Sequence, residues 1–310
     1  MKILVIGSSN TDLVAKASHL PKPGETVLGG GFSVNPGGKG ANQAVAAARL
    51  GGEVTFLCKL GEDDFGRQAE QLFRRERMDT RYVLKTPEHP SGVALIFVDE
   101  AAENSIVVAS GANMALSPAD VDRIGRFEDY GVVVTQLESP LETVFHAAEK
   151  THAAGNIFIL NPAPAMDLPE EIFPLVGIFT PNETEAGRYT GIEVKDEASA
   201  VEAAKILRAK GVRKVIITLG VKGSLVFSDT VCRVVPAYRV KAVDTTAAGD
   251  VFNGALAVRL AEGASLPDAA RFATAAAAIS VTRMGAQPSV PTRAETDDFL
   301  RGTRPESINP

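Results

Sequence analysis

The sequence predicts an α/β fold: a parallel sheet covered on both faces, with a small β projection. Short apolar runs alternate with longer helical patterns along most of the chain. Those runs are apolar throughout instead of at every second residue, which marks strands buried on both sides. Residues 92–98 and 105–109 form two strand-like runs with no helix between them.

The elements follow in order. Residues 3–7 form a β-branched run that stops at a glycine, and 54–58, 131–135, 156–160, 176–180 and 214–219 read the same way. A helix over 41–50 stops at Gly51-Gly52, and one over 196–210 stops at Gly211. A third, over 250–262, stops at Gly263, and a fourth, over 265–283, carries Pro267 near its start. Residues 11–28 lack a helical pattern and hold Pro21 and Pro23. Together with the 92–109 hairpin they predict a lid, formed by about 11–34 and 91–110, on one core spanning 1–301. Residues 302–310 read as a C-terminal tail.

At roughly 150 residues per domain, the 310 residues leave room for one large domain or two small ones. Hydrophobic residues at 45% and charged residues at 23% exclude a disordered chain, a collagen and a coiled coil. Lys plus Arg is 32 against 38 for Asp plus Glu, and this net charge of -6 argues against nucleic acid as a partner. Cys58 and Cys232 lie far apart, and His19, His89, His146 and His152 match no zinc pattern. No run approaches a membrane span, and the four apolar residues between Lys2 and Gly7 are too few for a signal peptide. The expectation is a cytoplasmic protein that engages no membrane.

Five segments carry chemistry. Residues 244–250, Asp-Thr-Thr-Ala-Ala-Gly-Asp, open the 250–262 helix. Small residues there let backbone N–H groups face outward at a helix N-terminus, an anion site by geometry and dipole. Read alone, Asp250 is either a functional carboxylate or a favourable first-turn acid. Gly254, one turn on, predicts close approach by another element. Residues 36–43, Pro-Gly-Gly-Lys-Gly-Ala-Asn-Gln, present Lys39 and Asn42 at a second helix start without matching a Walker A loop. Asn182 and Glu185 have capping-box spacing. Residues 218–223 join two strands through a glycine turn. Asn10, Asp12 and Glu138 follow strands, where α/β sheets bind ligands, and would suit a polyol.

Together these segments resemble the ribokinase-like (PfkB) carbohydrate kinase family from about residue 2 to 301. Residues 38–44 look like the family's first signature, and 244–250 look like its second. Residues 7–12, 136–140, 161–164 and 285–291 are similar to further segments of the family. The resemblance implies a three-layer α/β/α core with a β lid, which family members often clasp against a second subunit as a homodimer. It implies ATP-dependent phosphorylation of D-ribose at the 5-hydroxyl, or else of deoxyribose, another sugar or a nucleoside. The absence of Trp, the four Tyr and the polar Asn10, Asp12 and Glu138 favour a free sugar over a nucleoside. Asp250, Gly249, Asn182 and Glu185 argue against a non-catalytic sugar sensor on the same fold.

The resemblance also implies roles. Asp250 would be the base, and the amides of Ala247, Ala248, Gly249 and Asp250 the anion hole. Asn10, Asp12, Gly38, Lys39, Asn42 and Glu138 would hold the sugar. Asn182 and Glu185 would act near Mg2+ and the ATP phosphates. Thr218, Leu219, Gly220, Val221, Lys222 and Gly223 would cradle the nucleotide, with Thr274 near the adenine. Asp244, Thr246, Ser280, Arg283, Gly285 and Ser289 would surround K+.

Overall fold

The computed structural model describes residues 1–101 and 103–303. The chain runs β1 (Lys2–Ile6), β2 (Asn10–Lys16), β3 (Gly31–Gly37), α1 (Lys39–Arg49), β4 (Val54–Gly61), α2 (Asp64–Arg75), β5 (Val83–Thr86), β6 (Gly92–Val98) and β7 (Asn104–Ala109). It continues through α3 (Pro118–Asp122), β8 (Tyr130–Thr135), α4 (Leu141–Ala153), β9 (Ile157–Leu160), β10 (Ile178–Phe179), α5 (Glu183–Thr190), α6 (Glu197–Ala209) and β11 (Val215–Thr218). It closes with β12 (Ser224–Phe227), β13 (Cys232–Val235), α7 (Ala248–Ala261), α8 (Leu266–Ser280) and α9 (Arg293–Gly302). Gly302 ends α9, and residues 304–310 of the expected tail lie outside the described residues.

Nine strands form one sheet in the order β13-β12-β11-β10-β9-β8-β1-β4-β5 among the described residues. Two apolar cores explain why the strands are apolar at every position. Ile3, Val5, Phe56, Val132 and Val134 pack on one side with residues of α1, α7 and α8. Leu4, Ile6, Leu57, Val133 and Phe158 pack on the other with residues of α4 and α6. The result is three layers, α/β/α.

The sheet is parallel except at one edge, where the expected glycine turn over 218–223 makes β12 run antiparallel to β11, and β13 runs antiparallel to β12. A turn takes the chain straight back there: Gly220 and Gly223 both have positive φ, at 54° and 104°. The expected strand at 176–180 shrinks to the two ladder residues Ile178 and Phe179, and pairing resumes past Pro181, whose carbonyl accepts from Thr218 N at 3.0 Å. The helix expected to reach residue 283 ends at Ser280.

A second sheet has the order β3-β2-β6-β7. Its register sets Asn10 opposite Gly37 and Gly92, and Asp12 opposite Asn35 and Ala94. On the face opposite Asp12, Phe32, Val34, Leu95, Phe97 and Val107 lie side by side and exposed.

Gly254 does mark a close approach. A methyl at its Cα would stand 2.6 Å from Gln43 O and 2.7 Å from Ala46 Cβ, so α7 rests backbone to backbone on α1. That contact brings the two helix N-termini, and the two signature segments, to one place at the carboxyl end of β1.

Candidate active site

Asp250 stands in the first turn of α7 and is 5% exposed. Its Oδ2 accepts from Asn42 Nδ2 at 3.0 Å, and its Oδ1 from Gln43 Nε2 at 2.9 Å. Both amides come from α1, whose entry depends on glycines. Gly38 caps it with φ 87°, and a Cβ on Gly40 would lie 2.5 Å from Ser8 N. Asn42 Oδ1 in turn accepts from Gln287 Nε2 at 3.1 Å.

Glu138 lies across the cleft. Its Oε2 accepts from Ser8 Oγ at 2.5 Å and from the Lys39 backbone N at 2.9 Å. The Lys39 ammonium is stabilised in its charged form chiefly by Asp250, with Glu138 and Glu185 adding to it and burial opposing. Asp12 is pushed up to about 6, first by burial and then by the charges of Glu138 and Asp250. Asn10 Oδ1 accepts from Asn113 Nδ2 at 2.7 Å, and Asn113 Oδ1 accepts from Ser9 N at 2.9 Å. Asn10, Asp12, Gly38, Lys39, Asn42, Glu138 and Asp250 thus converge, drawn from both sheets and two helix starts.

At the head of α7, Ala247 holds the left-handed conformation at φ 60°, a rare one for a residue with a Cβ. The Ala248 N–H turns back onto Thr245 O at 3.2 Å. The Gly249 and Asp250 N–H groups belong to the open first turn, where an α-helix supplies no partner. Asp244 braces this loop: Oδ1 accepts from Thr246 N at 2.9 Å and Oγ1 at 2.6 Å, and Oδ2 from Gly285 N at 2.8 Å. Burial works against its charge, but these hydrogen bonds prevail and hold its carboxyl below the ordinary range. Ser280 and Ser289 are buried, with their hydroxyls given to Ala277 O at 2.8 Å and Ala286 O at 2.7 Å. Arg283 pairs with Glu295 at 2.6 Å.

Asn182 and Glu185 form a reciprocal cap on α5: Glu185 N donates to Asn182 Oδ1 at 2.8 Å, and Asn182 N to Glu185 Oε2 at 2.9 Å. Burial raises the Glu185 pKa despite the Asn182 N–H and the Lys39 charge. A cavity of 190 Å³ lies between Lys39, Asn182, Glu185 and Asp250. It shares Asn182, Thr218 and Gly249 with a cavity of 720 Å³ that runs to Thr274. Gly220, Val221 and Gly223 line the larger cavity, and so does Phe252. Two of the expected nucleotide contacts point elsewhere. Leu219 packs into the core, and Lys222 Nζ donates to Lys195 O at 2.6 Å. The Thr274 hydroxyl is spent on Ala270 O at 2.9 Å.

Asn113, Gln43, Gln136 and Gln287 were not singled out in the sequence as site residues. Their one signal is local: amides placed among small or apolar neighbours, which burial obliges to find partners.

The chain is similar to known proteins over nearly its whole length. The family described as pfkB family carbohydrate kinase matches residues 1–293. A ribokinase of Haemophilus influenzae is 46% identical over 299 residues, covering 96% of this chain and 98% of that protein. A deoxyribokinase of Salmonella typhi is 41% identical over 302 residues, covering 97% and 99%. The solved structure of Arabidopsis thaliana ribokinase complexed with ribose and ATP superposes with a TM-score of 0.89 at 33% identity, covering 97% of this chain and 98% of that one.

Proposed function

The chain belongs to the pfkB family of carbohydrate kinases, and from that premise we propose that it transfers the γ-phosphoryl group of ATP to the 5-hydroxyl of D-ribose, giving D-ribose 5-phosphate and ADP. The observation that carries this reading is the position of Asp250. It is buried where a small polar cleft meets a cavity large enough for a nucleotide, beside the open N–H groups of α7.

In this reading Asn10, Asp12, Lys39, Asn42 and Glu138 hold the sugar, with Gly38 shaping the wall behind it. The 5-hydroxyl faces Asp250. As the hydroxyl oxygen bonds to the γ-phosphorus, its proton passes to the Asp250 carboxylate and the bond to the β-phosphate oxygen breaks, releasing ADP. Phosphoryl transfer is largely positioning and electrostatics. Here the Gly249 and Asp250 amides, the α7 dipole and the Lys39 ammonium meet the developing charge. A panel of ribose, deoxyribose, fructose and adenosine in an ADP-release assay tests the acceptor. Ribose is expected to be fastest, and turnover of adenosine alone would overturn the sugar assignment.

Magnesium would reach the phosphates beside Asn182 and Glu185. No cluster of three or more His, Cys, Asp or Glu among the described residues could hold a metal. The ion would therefore be held by one or two protein oxygens plus phosphate and water, the usual arrangement for Mg2+. The K+ that the family resemblance implies would sit beside Asp244, whose carboxyl is held below the ordinary range and ties the 244–246 loop to Gly285. An ion there would brace the anion-binding loop without touching substrate. Activity is expected to be several-fold higher in KCl than in NaCl at matched ionic strength, and equal rates would count against this site.

The second sheet would act as a lid, since it carries Asn10 and Asp12 into the site. Its exposed Phe32, Val34, Leu95, Phe97 and Val107 would seat a second copy of the chain. Hydrogen exchange in residues 92–109 should slow with ribose, and sedimentation should report a dimer.

Asp12 gives the reaction a pH dependence. Below its folded pKa of about 6 it is protonated and loses the stronger, charge-assisted acceptance of sugar hydroxyls, so KM for ribose should rise as pH falls below about 6. The stability effect has the opposite sense. A raised carboxyl pKa favours the fold below the ordinary value of 3.8, and that contribution is lost as pH climbs through about 6. Asp12→Asn should therefore flatten the KM profile and raise the melting temperature at pH 7 but not at pH 4.

A further inference from the structure

We infer that Gln43 is a positioning residue for Asp250, locked in one orientation by Asn161 and Gln136. The inference rests on the phosphoryl-transfer reading above.

Gln43 is 0% exposed, and every hydrogen-bonding group of its amide has a partner. Nε2 donates to Asp250 Oδ1 at 2.9 Å and to Asn161 Oδ1 at 3.0 Å, while Oε1 accepts from Gln136 Nε2 at 2.7 Å. Turning the amide over would face its NH2 against that of Gln136 and its oxygen against the Asp250 carboxylate. Its oxygen would also face Asn161 Oδ1, so three hydrogen bonds would give way to three repulsive contacts, where each unsatisfied buried polar group costs about 1–3 kcal/mol. The amide therefore has one usable state.

Asn42 Nδ2 holds the other Asp250 oxygen at 3.0 Å. With one donor on each oxygen, the carboxylate plane is fixed, although the terminal torsion of Asp is intrinsically broad. A general base acts only within hydrogen-bond reach of its proton, and a misplacement of about 1 Å can cost about 10²-fold. Asn42 also faces the proposed sugar, whereas Gln43 points into the interior. Its contribution is orientation rather than sugar binding. The charged groups that face Asp250 (Asp12, Lys39 and Glu185) remain in place when Gln43 is replaced.

Gln43→Met keeps length and bulk and removes both donors. It is expected to lower kcat about 10–100-fold, with KM for ribose within about threefold of wild type. In an Asp250→Asn background the same change should cost no more than about threefold, since Gln43 acts through the carboxylate. Gln136→Met, which does not touch Asp250, should lower kcat about 3–10-fold at unchanged KM. A wild-type kcat in Gln43→Met, or an equal loss in both backgrounds, overturns the inference. Should Gln43→Met not fold, an unchanged kcat in Gln136→Met overturns it. Failure of the wild-type chain to phosphorylate ribose overturns the parent reading and this inference together. Normal wild-type turnover with any of the preceding results overturns the Gln43 assignment alone.

Discussion

Asp250→Asn is expected to lower kcat by about 10²–10⁴, equivalent to roughly 3–5 kcal/mol of transition-state stabilisation, while ribose affinity changes little. Asn is nearly isosteric and cannot take the hydroxyl proton, so the loss falls on the chemical step. Asn10, Asp12, Lys39, Asn42 and Glu138 would still hold the remaining hydroxyls. The structure sharpens this expectation, because both Asp250 oxygens accept from amide donors, Asn42 and Gln43. In the Asp250→Asn variant one of those oxygens is replaced by NH2 and meets a donor, which should lower the melting temperature by a few degrees. Single-turnover kinetics with calorimetric ribose titration separates the two effects. A variant with near-normal kcat and a reduced melting temperature would mean that Asp250 is a structural first-turn acid.

The second large effect belongs to Gly254. Replacing a helix-interior Gly by Ala ordinarily gains about 1 kcal/mol. Here the new methyl would lie 2.6 Å from the carbonyl oxygen of Gln43, a backbone atom of a packed helix that cannot turn aside. Overpacking of this kind costs about 1–3 kcal/mol and outweighs the propensity gain. Gly254→Ala should therefore be destabilising on balance, and Gly254→Val more so, by about 3 kcal/mol. Because the wedge enters between α1 and α7, kcat should fall as Gln43 and Asp250 part. Urea unfolding with activity of the folded fraction measures both. A stabilised Gly254→Ala would show that α7 can shift away from α1 freely.

Much of this was legible in the sequence because its causes are local. The uniformly apolar runs reported strands with a core on each face, and the structure has Ile3 and Leu4 on opposite cores. Gly38, Gly40 and Gly254 stood out because each costs stability unless a backbone needs the space. At the antiparallel edge the glycine turn over 218–223 was legible, but the outermost strand was not. Residues 224–227 and 232–235 are four-residue strands, and direction is set by the turn before them, not by their own side chains. The amide network escaped for a related reason. Asn113, Gln136 and Gln287 acquire meaning only from partners 103, 93 and 245 residues away, and no periodicity or short spacing encodes such pairs. Edge strand β3 carries Ser33, Asn35 and Pro36, which mask a strand signal that its neighbour β2 completes.

The junction of α1 with α7 also governs when the enzyme comes into being. Asp250 and Gln43 are 207 residues apart in the chain, yet they share one hydrogen bond. β1, made first, sits inside the sheet between β4 and β8, so the early half of the chain can begin a core during synthesis. It has no α7 to cover α1, and the small apolar residues that α1 buries against α7 stay open until the last quarter of the chain emerges. Contacts of such separation form late, because loop closure must precede their reward. During refolding, helical signal should therefore return well before turnover. In that interval the bare face of α1 is the surface through which half-made chains would stick to one another.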